Sequence, residues 1–462
     1  MDTDKNTQSR AHFEFVEIEA KRSDKKSIEQ RKIDFKEIYL PMQQPELKQQ
    51  ASRCLDCGNP YCQWQCPLHN AIPQWLSLAA KGQTLKAAEL AHQTNSLPEI
   101  CGRVCPQDRL CEQACTLNTG FGAVTIGQVE KAIADQALNA GWLPELPTEK
   151  LGFKVAIVGA GPAGLSCADK LARVGIEATV FDQQPEIGGL LTFGIPEFKL
   201  EKSIIQKRRD YFERMGISFK LNTRVGKDIA LAQLEENYDA IFFAMGAYQA
   251  VSANVEGSQA KGVYLALDYL IGNTVNLHQW HYPDYPFIDL KDKKVVVLGA
   301  GDTAMDCVRT AIRQEAKEVY CVYRRTEEQM PGSKQEFRHA CEEGVQFLWR
   351  RQASRFLVNE SGLIEGIEFE HLDDEEQKVE SIEADAILVA YGFRSAPPSW
   401  LEPLNLILDT NQELQVSADN AHRKAKIYAG GDMVRGADLV VTAIADGHKA
   451  AAAICADLGV FC

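Results

Sequence analysis

The chain has 462 residues, enough for about three domains of ordinary size, which excludes a small disulfide-stapled protein. Apolar residues make up 45% and charged residues 25%, as in a folded globular protein without extensive disorder. The net charge of -14 argues against a dedicated surface for nucleic acid or anionic membrane. Residues 1–20 lack the features of a secretory signal, and no apolar run has the length of a membrane span, so we expect a cytoplasmic protein.

The N-terminal segment, residues 1–148, is predicted to be helical and rich in cysteine. Apolar residues recur at three- and four-residue spacing over residues 84–92 and 127–138, which predicts short amphipathic helices. Eight of the fourteen cysteines lie within the 62 residues of 54–115. In a reducing compartment this clustering indicates metal binding rather than disulfides. Two prolines within residues 143–148 then predict a linker.

The clustered cysteines form two closely spaced arrays. They are Cys54-x2-Cys57-x4-Cys62-x3-Cys66-Pro and Cys101-x3-Cys105-Pro-x4-Cys111-x3-Cys115. Each array contains a Cys-Pro step, which resembles the ferredoxin pattern in which that cysteine serves the other cluster. Eight thiolates suit two iron–sulfur clusters. The alternative is a pair of tetrahedral zinc sites without redox chemistry.

The spacing alone does not determine which cysteines bind which cluster. We expect one cluster to take Cys54, Cys57 and Cys62, and the other to take Cys66, Cys105, Cys111 and Cys115. The first cluster then lacks a fourth ligand. Cys101 is one candidate for that ligand, because its thiolate is a soft ligand. Glu130, an oxygen ligand on a predicted helix, is the other.

A strand–glycine–helix unit follows the linker. Residues 155–158 predict a buried strand and residues 165–174 a helix. Between them lie Gly159, Gly161, Pro162, Ala163 and Gly164, whose glycines permit a tight turn and close approach to a pyrophosphate at the helix N-terminus. Asp182 ends the next predicted strand, where its carboxylate can accept hydrogen bonds from an adenosine ribose. The context favours a dinucleotide site over a plain structural turn.

A second unit of the same kind begins at the strand predicted over residues 295–298. Its loop contains Gly299, Gly301, Asp302, Thr303 and Ala304. The strand after its helix ends in Arg324 and Arg325 rather than in an acidic residue. Two guanidinium groups would attract a 2'-phosphate and favour NADPH over NADH. The alternative is that both arginines are simply a solvated strand end.

The two units predict an α/β fold with three domains. A helical iron–sulfur domain spans residues 1–148, and a Rossmann-like domain begins at 149–285. A second Rossmann-like domain, 286–392, is inserted in the first, which resumes at 393–462. A further glycine motif at residues 429–432 and a predicted C-terminal helix suggest that the chain returns to complete the first domain.

Six further motifs are distributed over nearly the whole chain. They lie at residues 53–58, 100–112, 188–199, 323–325, 330–333 and 429–444. Together they resemble the small (beta) subunit family of NADPH-dependent glutamate synthase, which is also similar to the N-terminal half of dihydropyrimidine dehydrogenase. The resemblance implies two [4Fe-4S] clusters and a large partner subunit that makes L-glutamate from glutamine and 2-oxoglutarate.

The resemblance also implies which cofactor each glycine motif binds. It places FAD at the first site, near Gly159, Gly161, Gly164, Asp182, Gly189 and Leu190, with Gly431, Asp432 and Thr442 toward its ribityl chain and ring. It places NADPH at the second site. Asp182 stands where such folds more often have glutamate, and no close cysteine pair accompanies the flavin motifs, so disulfide reduction is not expected.

The leading hypothesis is therefore an NADPH-oxidising electron-input subunit of glutamate synthase. We assign no catalytic acid or base, because hydride chemistry belongs to the cofactors. The second residue is Asp2, so removal of Met1 would not expose the N-terminal cysteine of a glutaminase, and a partner is expected. One rival is a paralogue that supplies electrons to another reductase or a ferredoxin. The other is a non-catalytic scaffold.

Overall fold

The computed structural model describes residues 13–372, 379–404, 408–409, 412–416 and 426–461. The expectation about residues 1–20, including Asp2, therefore lies largely outside the described residues. Within the described residues, no helix is both long and apolar enough to cross a lipid bilayer.

The cysteine domain, the described residues up to 148, is helical as predicted. Its helices are α1 (Glu14–Glu17), α2 (Ile28–Ile33), α3 (Gln44–Ser52), α4 (Tyr61–Gln65), α5 (Ile72–Ala80), α6 (Thr84–Thr94), α7 (Pro98–Val104) and α8 (Ile126–Asn139). Short 3-10 turns lie at Gln107–Arg109 and Thr116–Asn118. The two amphipathic helices expected at 84–92 and 127–138 are confirmed as α6 and α8. Fully buried Leu47, Trp75 and Ile133 form the centre of its core.

The first nucleotide domain begins after the linker. Its elements are β1 (Lys154–Val158), α9 (Pro162–Arg173), β2 (Glu177–Phe181), α10 (Leu190–Phe193), α11 (Lys202–Arg214), β3 (Ser218–Lys220), α12 (Leu231–Asn237), β4 (Ala240–Phe243) and β5 (Gln249–Ala250). Strands β1 to β4 pair in parallel, with β1 between β4 and β2.

The second nucleotide domain contains the next group of elements. They are β6 (Val263–Leu265), α13 (Ala266–Leu277), β7 (Lys294–Leu298), α14 (Asp302–Arg313), β8 (Glu318–Tyr323), α15 (Lys334–Glu343), β9 (Gln346–Trp349), β10 (Arg351–Val358), β11 (Ile364–His371), β12 (Val379–Glu383), β13 (Ala386–Val389) and β14 (Phe393–Arg394). After a 3-10 turn at Ser399–Leu404 come β15 (Ile427–Ala429), α16 (Asp432–Arg435) and α17 (Val440–Asp457).

The strand order confirms that the second nucleotide domain is inserted in the first. The first sheet runs β15-β4-β1-β2-β3, so the chain returns after the insertion to add β15 beside β4. The second sheet runs β6-β13-β7-β8-β9. Strand β6 pairs in parallel with β13, so this sheet already begins before residue 286, where we expected the boundary. The antiparallel sheet β10-β11-β12 was not predicted.

Close helix packing explains two glycines of the first domain. A Cβ on Gly164 would lie 2.0 Å from the carbonyl oxygen of Gly159, and a Cβ on Gly447 would lie 2.2 Å from that of Ala163. The third glycine of the motif therefore lets α9 begin directly against the turn, and Gly447 lets α17 pack on α9.

A buried polar network joins the cysteine domain to the first nucleotide domain. Arg208 on α11 donates to both carboxylate oxygens of Glu99 on α7, and its Nη2 lies 3.1 Å from Nε2 of His92 on α6. Ser96 Oγ lies 2.8 Å from Nε2 of His448 on α17. Burial lowers the pKa of His92 and of His448 to about 3. Both imidazoles are therefore neutral at the interface.

An N-terminal strap, residues 21–42, crosses from the cysteine domain to the second nucleotide domain. Nζ of Lys25 and Nη2 of Arg31 each lie 2.8 Å from Oε2 of Glu342 on α15. Nε of Arg313 on α14 donates to the carbonyl oxygen of Asp34 at 3.2 Å. The strap therefore connects the cysteine domain to the second nucleotide domain through two ion pairs and a hydrogen bond to a backbone carbonyl.

Candidate functional site

One cleft of about 1000 Å³ lies where the three domains meet. Its walls are the first glycine loop, the second glycine loop, and residues 105–109 of the cysteine domain. Twelve of the predicted cofactor-binding residues line it: Gly159, Gly161, Pro162, Ala163, Asp182, Gly189, Leu190, Gly301, Asp302, Thr303, Gly431 and Asp432. The structure thus brings residues of both glycine loops and Cys105 of the second cysteine array to a common space.

Four predicted residues shape the loops without lining this cleft. Gly164 and Ala304 are buried in helix packing. Gly299 has a φ of 125°, and a Cβ there would lie 2.4 Å from the carbonyl oxygen of Ala390, so only glycine fits the turn. The hydroxyl of Thr442 donates to the carbonyl oxygen of Leu439 at 2.7 Å.

Asp182 holds the first glycine loop in place. Its carboxylate accepts hydrogen bonds from the backbone N–H of Ala160 at 2.6 Å and of Gln184 at 2.8 Å. Burial raises the pKa of this carboxyl above its usual value. A carboxylate has about four acceptor positions, so Asp182 retains capacity for ribose hydroxyls. Although aspartate is shorter than the more common glutamate, Asp182 can therefore bind both the loop backbone and a dinucleotide ribose.

Asp432 lines the cleft from the glycine motif that follows β15, next to the first glycine loop. Gly431, with a φ of 73°, makes the turn and donates its N–H to Asp446 at 3.1 Å. Arg435 pairs with the same Asp446, at 2.8 Å from Nε, and so fixes the turn. Burial raises the pKa of Asp432 to about 7. A carboxyl that accepts or donates a hydrogen bond near neutral pH suits a polyhydroxyl cofactor chain.

Lys199 joins the two nucleotide domains across the cleft, a role that the sequence pattern did not predict. Its Nζ lies 2.8 Å from Oδ1 of Asp306 on α14 and 3.8 Å from Oε2 of Glu336 on α15. Asp306 and Glu336 raise the pKa of Lys199 despite its burial, and burial raises the pKa of Asp306 to about 6. The motif containing Lys199 was visible in the sequence, but its partner lies 107 residues away.

Arg109 joins the second cysteine array to the second glycine loop. Its Nη1 donates to the carbonyl oxygen of Pro331 at 2.7 Å, and its Nη2 lies 3.6 Å from Oδ2 of Asp302. Oδ1 of Asp302 accepts from the backbone N–H of Ser333 at 2.8 Å. The cysteine domain is thus in direct contact with the predicted NADPH loop.

Arg324 and Arg325 follow β8 at the carboxyl edge of the second sheet. Both are exposed, and neither lines the cleft. Among the residues that the structure describes, their guanidinium groups make no hydrogen bond or ion pair. They therefore have donors available for a ligand phosphate at the edge where parallel sheets bind nucleotides.

The first group of cysteines differs from our expectation. Cys115 lines the same small cavity as Cys54, Cys57 and Cys62, so it joins the first array and not Cys66, Cys105 and Cys111. The cause is a chain reversal after Cys111, which lays the turn at Thr116–Asn118 against the first array. Sγ of Cys57 lies 3.4 Å from Oγ1 of Thr116 as a result. Four cysteines consequently line one cavity, and neither Cys101 nor Glu130 lines it.

The second group contains both candidates for the additional ligand. Electrostatic interactions join Cys66 to Cys101 and Glu130, and join Cys105 and Cys111 to Glu130. Oε1 of Glu130 accepts from the side-chain amides of Asn70 at 2.8 Å and Asn95 at 3.0 Å. Both candidates were identified from the sequence, but they belong beside the second group and not the first.

The chemistry of these thiols fits a metal cluster. Burial raises the pKa of Cys54 and of Cys66 to about 11 and that of Cys62 to about 12. Such thiols ionise at neutral pH only beside a strong positive charge, which bound iron provides. Within the described residues, no three or more histidine, cysteine or acidic side chains are arranged to hold a single metal ion.

The fold and site define a class of protein: a pyridine-nucleotide oxidoreductase joined to an iron–sulfur domain. Residues 31–142 match the family described as dihydropyrimidine dehydrogenase domain II, 4Fe-4S cluster, and residues 153–447 match the pyridine nucleotide-disulphide oxidoreductase family. The glutamate synthase [NADPH] small chain of Escherichia coli K12 is 51% identical, with 95% of this chain and 97% of that protein covered. The chain belongs to the glutamate synthase [NADPH] small chain family.

Two further relatives broaden the comparison. The glutamate synthase [NADPH] small chain of Halomonas elongata is 48% identical, over 95% of this chain and 96% of that protein. The putative oxidoreductase AegA of Escherichia coli K12 is 50% identical, over 95% of this chain and 69% of that protein. Family membership is therefore compatible with more than one assembly.

Solved structures share the fold of the nucleotide domains. FprA from Mycobacterium tuberculosis, in complex with NADPH, aligns with a TM-score of 0.54 at 18% identity, over 66% of this chain and 85% of that one. Thioredoxin reductase from T. acidophilum aligns with a TM-score of 0.52 at 18% identity, over 66% and 98%.

Proposed function

We propose that the chain is the electron-input subunit of glutamate synthase, which oxidises NADPH and supplies a large partner subunit that makes L-glutamate from glutamine and 2-oxoglutarate. The observation that carries this proposal is the cleft that both glycine loops and Cys105 of the second cysteine array line. This arrangement would place the two dinucleotides and one cluster ligand around a common space. The same proposal has this assembly act in the cytoplasm.

The proposal assigns each cofactor to residues of the cleft. Gly159, Gly161, Asp182, Gly189, Leu190, Gly431 and Asp432 hold FAD, with Gly164 and Thr442 shaping its loops. Gly301, Asp302 and Thr303 hold NADPH, with Arg324 and Arg325 on its 2'-phosphate. One [4Fe-4S] cluster takes Cys54, Cys57, Cys62 and Cys115. The other takes Cys66, Cys105 and Cys111, with Cys101 or Glu130 as its remaining ligand.

In this proposal the residues of the chain position the cofactors and do not act as acids or bases. When bound, FAD provides two-electron acceptance with one-electron release, and the clusters provide one-electron transfer. Lys199 and Asp306 join the two nucleotide domains across the cleft, and this contact would hold the two dinucleotide sites in a set relative orientation. Arg109 holds the second cysteine array against the same loop.

Reconstitution tests this function. The purified chain should be yellow-brown, lose its flavin absorbance when NADPH is added anaerobically, and reduce artificial acceptors. Glutamate should form from glutamine and 2-oxoglutarate only when the glutamate synthase large subunit is added. A colourless protein would contradict every redox assignment and favour a scaffold.

A second candidate function follows from the relative AegA. That protein is 50% identical, yet this chain covers 69% of it, so the same unit occurs within a longer oxidoreductase. The candidate is a paralogue that supplies electrons to another reductase or ferredoxin. NADPH oxidation without any glutamate formation in the reconstituted system would favour it.

A further inference from the structure

Two segments of the chain that contain the first cysteine group, residues 54–65 and 113–124, carry almost no charge, and we call their exposed surface the uncharged face. Helix α1, with Glu14 and Glu17, borders this face where Phe15 packs on Phe121. Asp56 is the single charged residue among these 24, whereas charged residues make up 25% of the whole chain, so about six would be expected. Solvated surfaces normally carry many charged residues, whereas the centres of protein interfaces are depleted of them.

Three aromatic side chains project from the uncharged face. Tyr61 is 56% exposed, Trp64 62% and Phe121 52%. Two of them are held in fixed positions: Nε1 of Trp64 donates to Oδ1 of Asn59 at 2.9 Å, and the ring of Phe121 packs edge-on against Phe15 at 4.8 Å. Rigid, exposed Trp and Tyr side chains are the residues that most often dominate binding energy at interfaces.

The uncharged face is also the outer wall of a cysteine site. Tyr61 and Thr116 line the small cavity of Cys54, Cys57, Cys62 and Cys115. The buried guanidinium of Arg53 donates to the carbonyl oxygens of Phe121, Gly122 and Ala123 and so fixes the second segment beside Cys54. A protein bound here would lie directly against the first cysteine group.

The two cysteine groups face different neighbours. Cys105 of the second group lines the nucleotide cleft, whereas Cys54, Cys57, Cys62 and Cys115 do not. The second group therefore lies on the side of the nucleotide cleft, from which electrons would enter the cysteine domain. The first group lies away from that cleft, with the uncharged face outside it, where electrons would leave.

We infer that the uncharged face is the docking surface for the electron-accepting partner subunit, and that the partner presents an apolar, uncharged centre of its own. The inference rests on the proposed function, since it takes the partner to be an electron acceptor. A charged partner surface would lose its hydration here without gaining a counter-charge, which is unfavourable. Apolar and aromatic contacts to Trp64 and Phe121 carry no such penalty.

Paired variants of the whole chain test the inference, with the glutamate synthase large subunit as the probe. Trp64→Ser with Phe121→Ser removes the aromatic contacts. Gln65→Glu with Thr119→Glu places charge on the exposed face without removing an internal contact. Phe287→Ser with Leu363→Ser is the matched control, since these side chains are 43% and 47% exposed elsewhere.

We expect the aromatic pair to raise the Kd for the large subunit at least about thirtyfold and the charge pair at least about tenfold. The control pair should stay within about twofold. Iron content and NADPH-dependent dye reduction should match wild type in all three. If the aromatic pair loses iron, the charge pair decides the question.

Wild-type affinity in the charge pair, or equal weakening by the control pair, would overturn the inference. A change in self-association with unchanged large-subunit binding would also overturn it, because the face would then join two copies of this chain. These failures differ from failure of the proposed function, in which the wild-type chain itself neither oxidises NADPH nor binds the large subunit.

Discussion

At the scale of single residues, we propose that two exposed arginines determine cofactor choice. Replacing Arg324 and Arg325 with glutamine should weaken NADPH far more than NADH, because only NADPH has the 2'-phosphate that they bind. Each charged hydrogen bond is worth about 1.5–3 kcal/mol, or roughly tenfold to more than a hundredfold in the cofactor ratio. The measurement is kcat/KM for both cofactors in dye reduction. Equal weakening of both, or a wild-type preference for NADH, would contradict the assignment.

A single thiol should decide whether the second cysteine group keeps its metal. Cys111→Ser replaces a soft thiolate with a harder, more basic ligand, so the variant should lose about four of about eight iron atoms per chain. Iron and acid-labile sulfide analysis of anaerobically purified protein measures this. Cys341→Ser, at an exposed position, is the control and should retain all iron. Stoichiometric zinc without sulfide would contradict both clusters.

At the scale of elements, the contact of α6 and α7 with α11 should weaken in acid. His92 has a folded pKa of about 3 and an ordinary value of 6.5, so the unfolded chain binds the extra proton between these values. Stability is therefore complete above pH 6.5 and falls as the pH drops toward 3, by up to about 1.4 kcal/mol per pH unit for this histidine. Protonation would also place two positive charges together, since Arg208 lies beside it.

Thermal unfolding at pH 7.5, 6.5 and 5.5 measures this dependence. His92→Gln removes the titrating group and should flatten the fall in the unfolding temperature below pH 6.5. The exposed His281 offers a control, and His281→Gln should behave as wild type. An unchanged acid dependence in His92→Gln would exclude this histidine as a cause.

Local patterns predicted some elements well and missed others for identifiable reasons. The strand–glycine–helix units at β1 and β7 follow from runs such as 155–158 beside glycines, because those signals are local. The antiparallel sheet β10-β11-β12 was missed, although Val379–Glu383 alternates exposed and half-buried side chains at the strand period. The position of β6 depends on pairing with β13, more than 120 residues later, which no local pattern contains.

Residues of the candidate site likewise divide into those that the local sequence predicted and those that it missed. Glycines, Asp182 and all eight array cysteines could be proposed as site residues because their spacing is itself informative. The grouping of Cys115 with the first array was not, since it follows from a chain reversal. Lys199 and Arg109 were missed because each acts through a residue on another domain.

At the scale of the whole molecule, turnover depends on how the two nucleotide domains are held together. Lys199→Met leaves Asp306 buried without its ion-pair partner, a loss of about 1–3 kcal/mol for such a group. We expect kcat/KM for NADPH-dependent dye reduction to fall about tenfold while flavin content is retained. Lys207→Met, which removes an exposed lysine of α11, is the control. Unchanged turnover in Lys199→Met would remove Lys199 from a positioning role.

The N-terminal strap has a consequence for the time course of biosynthesis. Arg31 leaves the ribosome early, but its partner Glu342 follows 311 residues later. At about 5–20 residues per second, that interval lasts about 15–60 s. During this time the strap has no α15 to bind, whereas the rest of the cysteine domain, through residue 148, has already been synthesised. The contact between the strap and the second nucleotide domain therefore forms only late in translation, and a nascent chain that stops before α15 leaves Lys25 and Arg31 without Glu342.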